Sequence, residues 1–153
     1  MSWLEHLENF LYGRTMRVAI IYFKAGKRNS LELLSREMAR KWQAVGHQVE
    51  VMEAKPGEDL RLARFDYVVL GTESSSLWGK LPTRLPQVLS QAGQVAGKRS
   101  FAFVCPSGFR TQKLLSRLMK AMENEGMLVN YAEILSSVSE ASLAAEKVPL
   151  QRP

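Results

Sequence analysis

A three-layer α/β fold, with five parallel strands in one sheet and helices on both of its faces, follows from three observations on this 153-residue sequence. Five short apolar runs alternate along the chain with segments whose apolar residues recur at helical spacing, the pattern of repeated strand–helix–strand units. The first run, Val18-Ala19-Ile20-Ile21-Tyr22-Phe23, is apolar at every position, as a strand covered on both faces of a parallel sheet must be. The connections between runs are short, so each crossover is right-handed and lays its helix back on the sheet.

Residues 1–15 read as an amphipathic helix with Trp3, Leu4, Leu7, Phe10 and Leu11 on one stripe and Gly13 at its end, packed on the domain that residues 16–153 form. Such a stripe needs cover. A dimer contact or a peripheral membrane anchor is the alternative, and Glu5 and Glu8 on the polar side speak against anionic lipid.

Residues 17–23 are the first strand. Leu31, Leu34, Met38, Trp42 and Val45 then mark a helix closed by Gly46, with Asn29 and Glu32 spaced as a capping box at its start. Residues 47–52 alternate, Val49 and Val51 against Gln48 and Glu50, as in a strand near a sheet edge. Pro56 and Gly57 break the chain, and a short helix through Leu60 and Leu62 leads to a third strand over residues 65–70. Pro82 and Pro86 suit the start of a helix whose buried face is Leu85, Val88 and Leu89 and which Gly93 ends.

Residues 99–105 form the fourth strand. Leu114, Leu115, Leu118, Met119 and Met122 build one face of the strongest helix, with Arg117 and Lys120 pointing away and Gly126 at its end. A fifth strand over 127–135, a weak Ser- and Ala-rich helix over 139–147 and a Pro-containing tail complete the chain. That last helix covers its part of the sheet poorly, a gap the N-terminal helix would fill.

Composition narrows the function classes. The chain is 46% hydrophobic and 24% charged, as ordinary globular domains are, and no apolar run reaches the roughly 20 residues of a membrane span. Cys105 is the only cysteine, so no intramolecular disulfide forms, and polar residues interrupt any signal-like start; a reducing cytoplasm fits. Lys and Arg outnumber Asp and Glu by 21 to 15, which favours an anionic ligand or an acidic protein partner. Nucleic-acid binding is the weaker version, lacking interleaved aromatics.

In a sheet of this kind the loops at the carboxyl ends of the strands converge, here residues 24–30, 72–78 and 105–110. Several chemistries fail on these residues. A phosphatase loop needs five residues between its Cys and Arg, and only four separate Cys105 from Arg110, which leaves Cys105 a buried structural thiol. A response-regulator receiver needs acidic residues where Lys24, Ala25 and Thr72 stand. His6 and His47 with one cysteine make no zinc site, and neither a nucleophile elbow nor a Walker-type phosphate loop is present.

The stretch from Gly71-Thr72 to Trp78-Gly79-Lys80-Leu81-Pro82 resembles the loop after the third strand of the flavodoxin-like family, where a small-residue start, an aromatic and Gly-x-Leu-Pro surround the flavin ring. Ile20-Ile21-Tyr22-Phe23 running into Asn29-Ser30 is similar to the family's phosphate-loop unit. The order of elements matches over about residues 16–147. The resemblance implies a flavodoxin-like three-layer sandwich, strand order 2-1-3-4-5, with an extra N-terminal helix. It also implies FMN. Three departures stand out: Lys24-Ala25-Gly26-Lys27-Arg28-Asn29-Ser30 replaces the family's Ser/Thr-x-Thr-Gly-Asn-Thr, Glu73 stands where a proline is usual, and the second loop is longer than the family's commonest form.

Under the resemblance, Lys24, Gly26, Lys27, Arg28, Asn29 and Ser30 take the FMN phosphate, aided by amides at a helix N-terminus. Thr72, Glu73, Ser74, Ser75, Ser76, Leu77, Trp78 and Gly79 flank the ring with Pro106, Ser107, Gly108 and Phe109. Trp78 either stacks on the ring or folds onto the surface, and Phe109 stacks or staples the next helix. The implied function is an FMN-binding redox protein, an electron carrier or a small FMN-dependent reductase. The alternative is a flavodoxin-fold protein that has lost flavin binding, in which Lys24, Lys27, Arg28, Lys80, Arg84 and Arg110 rim a pocket for another phosphate-bearing ligand or an acidic partner.

Overall fold

A computed structural model of the chain describes residues 3–4, 15–55, 57, 59–74, 76–106 and 108–150. Five strands, β1 (Arg17–Phe23), β2 (Gln48–Glu53), β3 (Tyr67–Thr72), β4 (Arg99–Val104) and β5 (Leu128–Ile134), form one sheet in the order β2-β1-β3-β4-β5. Every neighbouring pair is parallel, with one register shift between β4 and β5 at Ser100/Phe101. Among the described residues four helices connect and cover it: α1 (Ser30–Ala44), α2 (Arg84–Gln91), α3 (Thr111–Asn124) and α4 (Val138–Lys147). The expected strand order and the three layers are thus observed.

The sheet has a core on each face because successive side chains of a strand point to opposite sides. Ala19, Ile21 and Phe23 of β1 join Leu85, Val88 and Leu89 of α2 and Leu114, Leu118 and Met122 of α3. Val18, Ile20 and Tyr22 join Leu31, Leu34, Met38 and Trp42 of α1 and Ala141, Ala144 and Ala145 of α4. The three central strands are almost wholly buried, whereas β2 and β5 at the edges are only half covered. Small alanines on α4 therefore bring it close to α1, where the Trp42 indole donates to the Ala145 carbonyl at 2.9 Å. That carbonyl needs an outside donor, because the residue four positions on is Pro149, which has no N–H.

Three expectations are corrected. Leu60 and Leu62 are buried with exposed Arg61 between them, and residues 59–66 contain no helix; a period of two in so short a segment is an extended stretch, tied by the Leu62 N–H to the Ala92 carbonyl. β3 runs through Gly71 and Thr72 rather than ending at Leu70, since both residues still pair with β1 and β4. The capping box at α1 does not form: Asn29 sits at φ −98°, ψ 9° with no side-chain cap, and Glu32 pairs with Arg36 instead. A side-chain cap forms instead at α4, where Ser137 accepts from the Glu140 N–H and Glu140 accepts from the N–H and hydroxyl of Ser136, one residue before the cap.

Both long helices do end as expected, α1 through the Gly46 and His47 N–H groups and α3 through those of Gly126 and Met127, each pair reaching back into the last turn. Trp3 and Leu4 are helical and exposed. The remainder of the expected N-terminal helix, the Pro56 break and residues 151–153 of the tail lie outside the described residues. Among those described, no helix is long and apolar enough to cross a membrane.

Candidate functional site

The loops after β1, β3 and β4 meet beyond the carboxyl ends of those strands. Glu73, the first residue after β3, turns its carboxylate to the β1 loop, where Oε1 accepts from the N–H groups of Ala25 at 3.1 Å and Gly26 at 3.3 Å. Arg84 at the start of α2 reinforces the junction by donating to the carbonyls of Lys24 and Ala54. Thr72 is fully buried and its hydroxyl donates to the Phe23 carbonyl at 2.9 Å. Three residues expected at a ligand therefore serve first to join the loops.

The segment from Ser74 to Lys80 is braced by its own hydroxyls. The Ser74 hydroxyl donates to the Ser76 carbonyl and accepts from the Ser76 N–H, and the Ser76 hydroxyl accepts from the N–H groups of Trp78 and Lys80. Arg117 of α3, expected to point away, instead reaches over and donates to the carbonyls of Trp78 and Gly79 at 2.8 and 2.7 Å. Gly79 has φ +70°, and a Cβ there would stand 2.9 Å from the Arg110 carbonyl, so only glycine lets the second and third loops approach this closely. Arg110 itself is left-handed at φ 66°, a conformation that costs a non-glycine residue about 1–3 kcal/mol, and its guanidinium stands 5.1 Å from the Trp78 ring.

Trp78 and Phe109 are 61% and 74% exposed. Neither ring is folded into the core. Leu77 is also exposed and packs next to Gly108. Ser75 and Ser107 lie outside the described residues.

On the α1 and α4 side these loops enclose a cavity of about 290 Å³. Arg28 and Ser30 form one wall, Glu73, Cys105 and Pro106 another, and residues 135–138 of the connection into α4 close it. The last wall was not foreseen from the sequence, although Ser137 and Glu140, spaced as a capping box, mark where that connection turns into a helix. The position is the switch point of the sheet, where β1 and β3 lead their crossovers to opposite faces and ligands of open α/β folds bind.

The electrostatics are uneven. Burial first, and then the nearby Glu73 carboxylate, push the Cys105 thiol up to about 12, against a smaller opposing pull from Arg28; it is a neutral thiol at physiological pH and no nucleophile. The expected basic rim does not converge. Arg28 alone of its six members lines this cavity, Lys80 lines a separate hollow with Arg117 and Lys120, and Arg84 and Arg110 are engaged as described.

The donor set suits a phosphate at the α1 end of the cavity: a guanidinium, the Ser30 hydroxyl, and a helix start whose Asn29 side chain leaves the first-turn N–H groups uncapped. The Ala25 and Gly26 amides, by contrast, are already bonded to Glu73. The residues thus fit a phosphate group through Arg28, Ser30 and the α1 start.

No family sequence model matches the chain, and no curated protein sequence does so either. Solved structures do match. The oxidised flavodoxin 1 of Bacillus cereus superposes with a TM-score of 0.70 at 13% identity, over 86% of this chain and 95% of that one. The two-electron reduced flavodoxin of Megasphaera elsdenii gives 0.68 at 19% identity, over 86% and 99%, and a WrbA-like flavodoxin protein of Agrobacterium tumefaciens 0.62 at 13%, over 86% and 91%. With this agreement over nearly the whole length of both chains, and with strands in the order 2-1-3-4-5, the chain has the flavodoxin-like fold.

Proposed function

We propose that this chain binds FMN at the carboxyl ends of β1, β3 and β4 and works as a redox protein, an electron carrier or a small flavin reductase. The observation that carries the reading is the cavity itself. It lies at the switch point of a fold shared with flavodoxins, and its walls come from the α1 start and from the ends of β3 and β4. Bound flavin would supply one- and two-electron chemistry, the protein supplying position and electrostatics.

Arg28 and Ser30 hold the phosphate, with Lys27 adding positive charge nearby. Trp78 and Phe109, exposed on the second and third loops, flank the ring, Trp78 kept in place by Arg110 and by the Arg117 clamp on its carbonyl. Cys105 contributes an uncharged wall and forms no adduct, because its thiol stays protonated.

The test is a titration of FMN with the purified full chain, followed by flavin fluorescence and absorbance. Saturable quenching at one FMN per chain is expected. A colourless protein that leaves the FMN spectrum unchanged at high protein concentration overturns the reading and leaves a fold used as an anion-binding or interaction module.

A further inference from the structure

Glu73 is an acidic residue placed at the ligand cavity of a chain with net charge +6. It is 5% exposed, and no ion pair of its carboxylate occurs among the described residues. Its Oε1 is held instead by two successive main-chain N–H groups, those of Ala25 and Gly26. Consecutive amides converging on one oxygen are how a main chain binds an anion. The anion here is the protein's own.

We propose that Glu73 is a built-in competitor of the ligand's phosphate: it occupies part of the amide cradle, its charge sits in the cavity wall opposite Arg28, and the site therefore takes uncharged riboflavin about as well as FMN. The inference rests on the flavin reading and refines it. A phosphate bound by Arg28 and Ser30 meets a carboxylate in the wall of the same cavity and gains nothing from the two occupied amides. Like charges brought together in a partly desolvated site are a strong discriminator. The hydroxyls of a neutral ligand have the opposite relation to Glu73, since they can donate to it. Removing the carboxylate restores both the amides and the positive field of Arg28 to an incoming phosphate.

The experiment compares FMN and riboflavin titrations of the full chain with those of Glu73→Gln and Glu73→Ala. The near-isosteric Gln variant guards against loss of folding, which circular dichroism checks. In the parent the two dissociation constants agree within about threefold; Glu73→Ala, which frees the amides and removes the charge, gains at least about tenfold for FMN, a change readily resolved by titration, Glu73→Gln, whose amide oxygen still accepts from the two N–H groups, gains less, and riboflavin binding is unchanged or weakened in both. Affinities for the two flavins that move together, or an FMN affinity that falls, overturn the proposal and leave Glu73 a structural tie between β1 and β3. Should no form bind either flavin, the proposed function fails separately, and inorganic phosphate followed at the Ala25 and Gly26 amide resonances decides this inference. Shifts in Glu73→Ala but not the parent sustain it; shifts in both, or in neither, overturn it.

Discussion

Replacing Gly71 by alanine tests whether the floor of the site is as tightly built as its geometry implies. Gly71 pairs across β3 and β4 with Phe103, and a Cβ on it would stand 2.1, 2.4 and 2.7 Å from the Cζ, Cε1 and Cε2 atoms of that ring, where ordinary contact begins at 3.4 Å. Phe103 has no room to retreat: it is 0% exposed and its ring lies 5.8 Å from that of Phe101. Overpacking of this kind costs about 1–3 kcal/mol, and forcing the ring off its rotamer adds about 0.5–1.5 kcal/mol. The stiffer unfolded chain of an alanine variant returns about 0.4–1 kcal/mol. The expected net loss is about 2–3 kcal/mol, read as a lowered urea midpoint at unchanged slope, or as a melting temperature lower by about 4–12 °C for a domain of this size.

The partner substitution makes the prediction specific. Phe103→Leu removes the ring tip that the new methyl strikes, so in its background Gly71→Ala costs at least about 1 kcal/mol less than alone, a coupling that a double-mutant cycle resolves. Glu73 and Cys105 lie two residues beyond Gly71 and Phe103 on the same face of the sheet. A displaced Phe103 therefore reaches the cavity, and FMN affinity falls with stability. A Gly71→Ala protein within about 0.5 kcal/mol of the parent, or a Phe103→Leu background that gives no relief, refutes the packing argument.

Other substitutions report on other parts of the structure. Trp42→Phe removes the donor that satisfies the Ala145 carbonyl and leaves a buried acceptor beside Pro149, costing about 1–3 kcal/mol in chemical denaturation. His47 accepts from the Met16 N–H through Nδ1, and burial holds its pKa below the ordinary 6.5. The unfolded chain thus binds the proton more readily, and stability falls as pH drops from 6.5 through the lower folded value; in His47→Gln the part of that slope due to the imidazole disappears from denaturation curves taken between pH 7 and 5. Arg117→Met removes the clamp on the Trp78 and Gly79 carbonyls while keeping an apolar stem, so amide exchange in the 76–80 loop quickens several-fold with global stability within about 1 kcal/mol of the parent.

Much of the fold was legible because burial imposes local periods on the chain. The unbroken apolar run of β1, the alternation of β2 and the Leu114, Leu115, Leu118 and Met122 stripe of α3 each state which faces are covered, and the strands and helices stand where those patterns put them. The same rule failed where the segment was short. Leu60 and Leu62 fit either a helical turn or an extended stretch, and only packing under Ala92 decided between them. Asn29 has a capping residue's chemistry without a cap's backbone, a matter of dihedral angles that residue type does not record.

The site divides in the same way. That loops 24–30, 72–78 and 105–110 would meet was set by strand order, and strand order by the alternation of strands with helices, so the sequence by itself determined where a ligand cavity had to lie. It did not determine how the cavity is charged. Glu73 read as a departure in a loop and became an internal anion only when β3 carried it beside the Ala25 and Gly26 amides. Arg84, read as part of a pocket rim, and Arg117, read as pointing away from its helix's apolar face, became clamps on carbonyls far away in the chain. A long side chain's partner is chosen by what the completed fold brings within reach of its last atoms, and no local pattern encodes that distance.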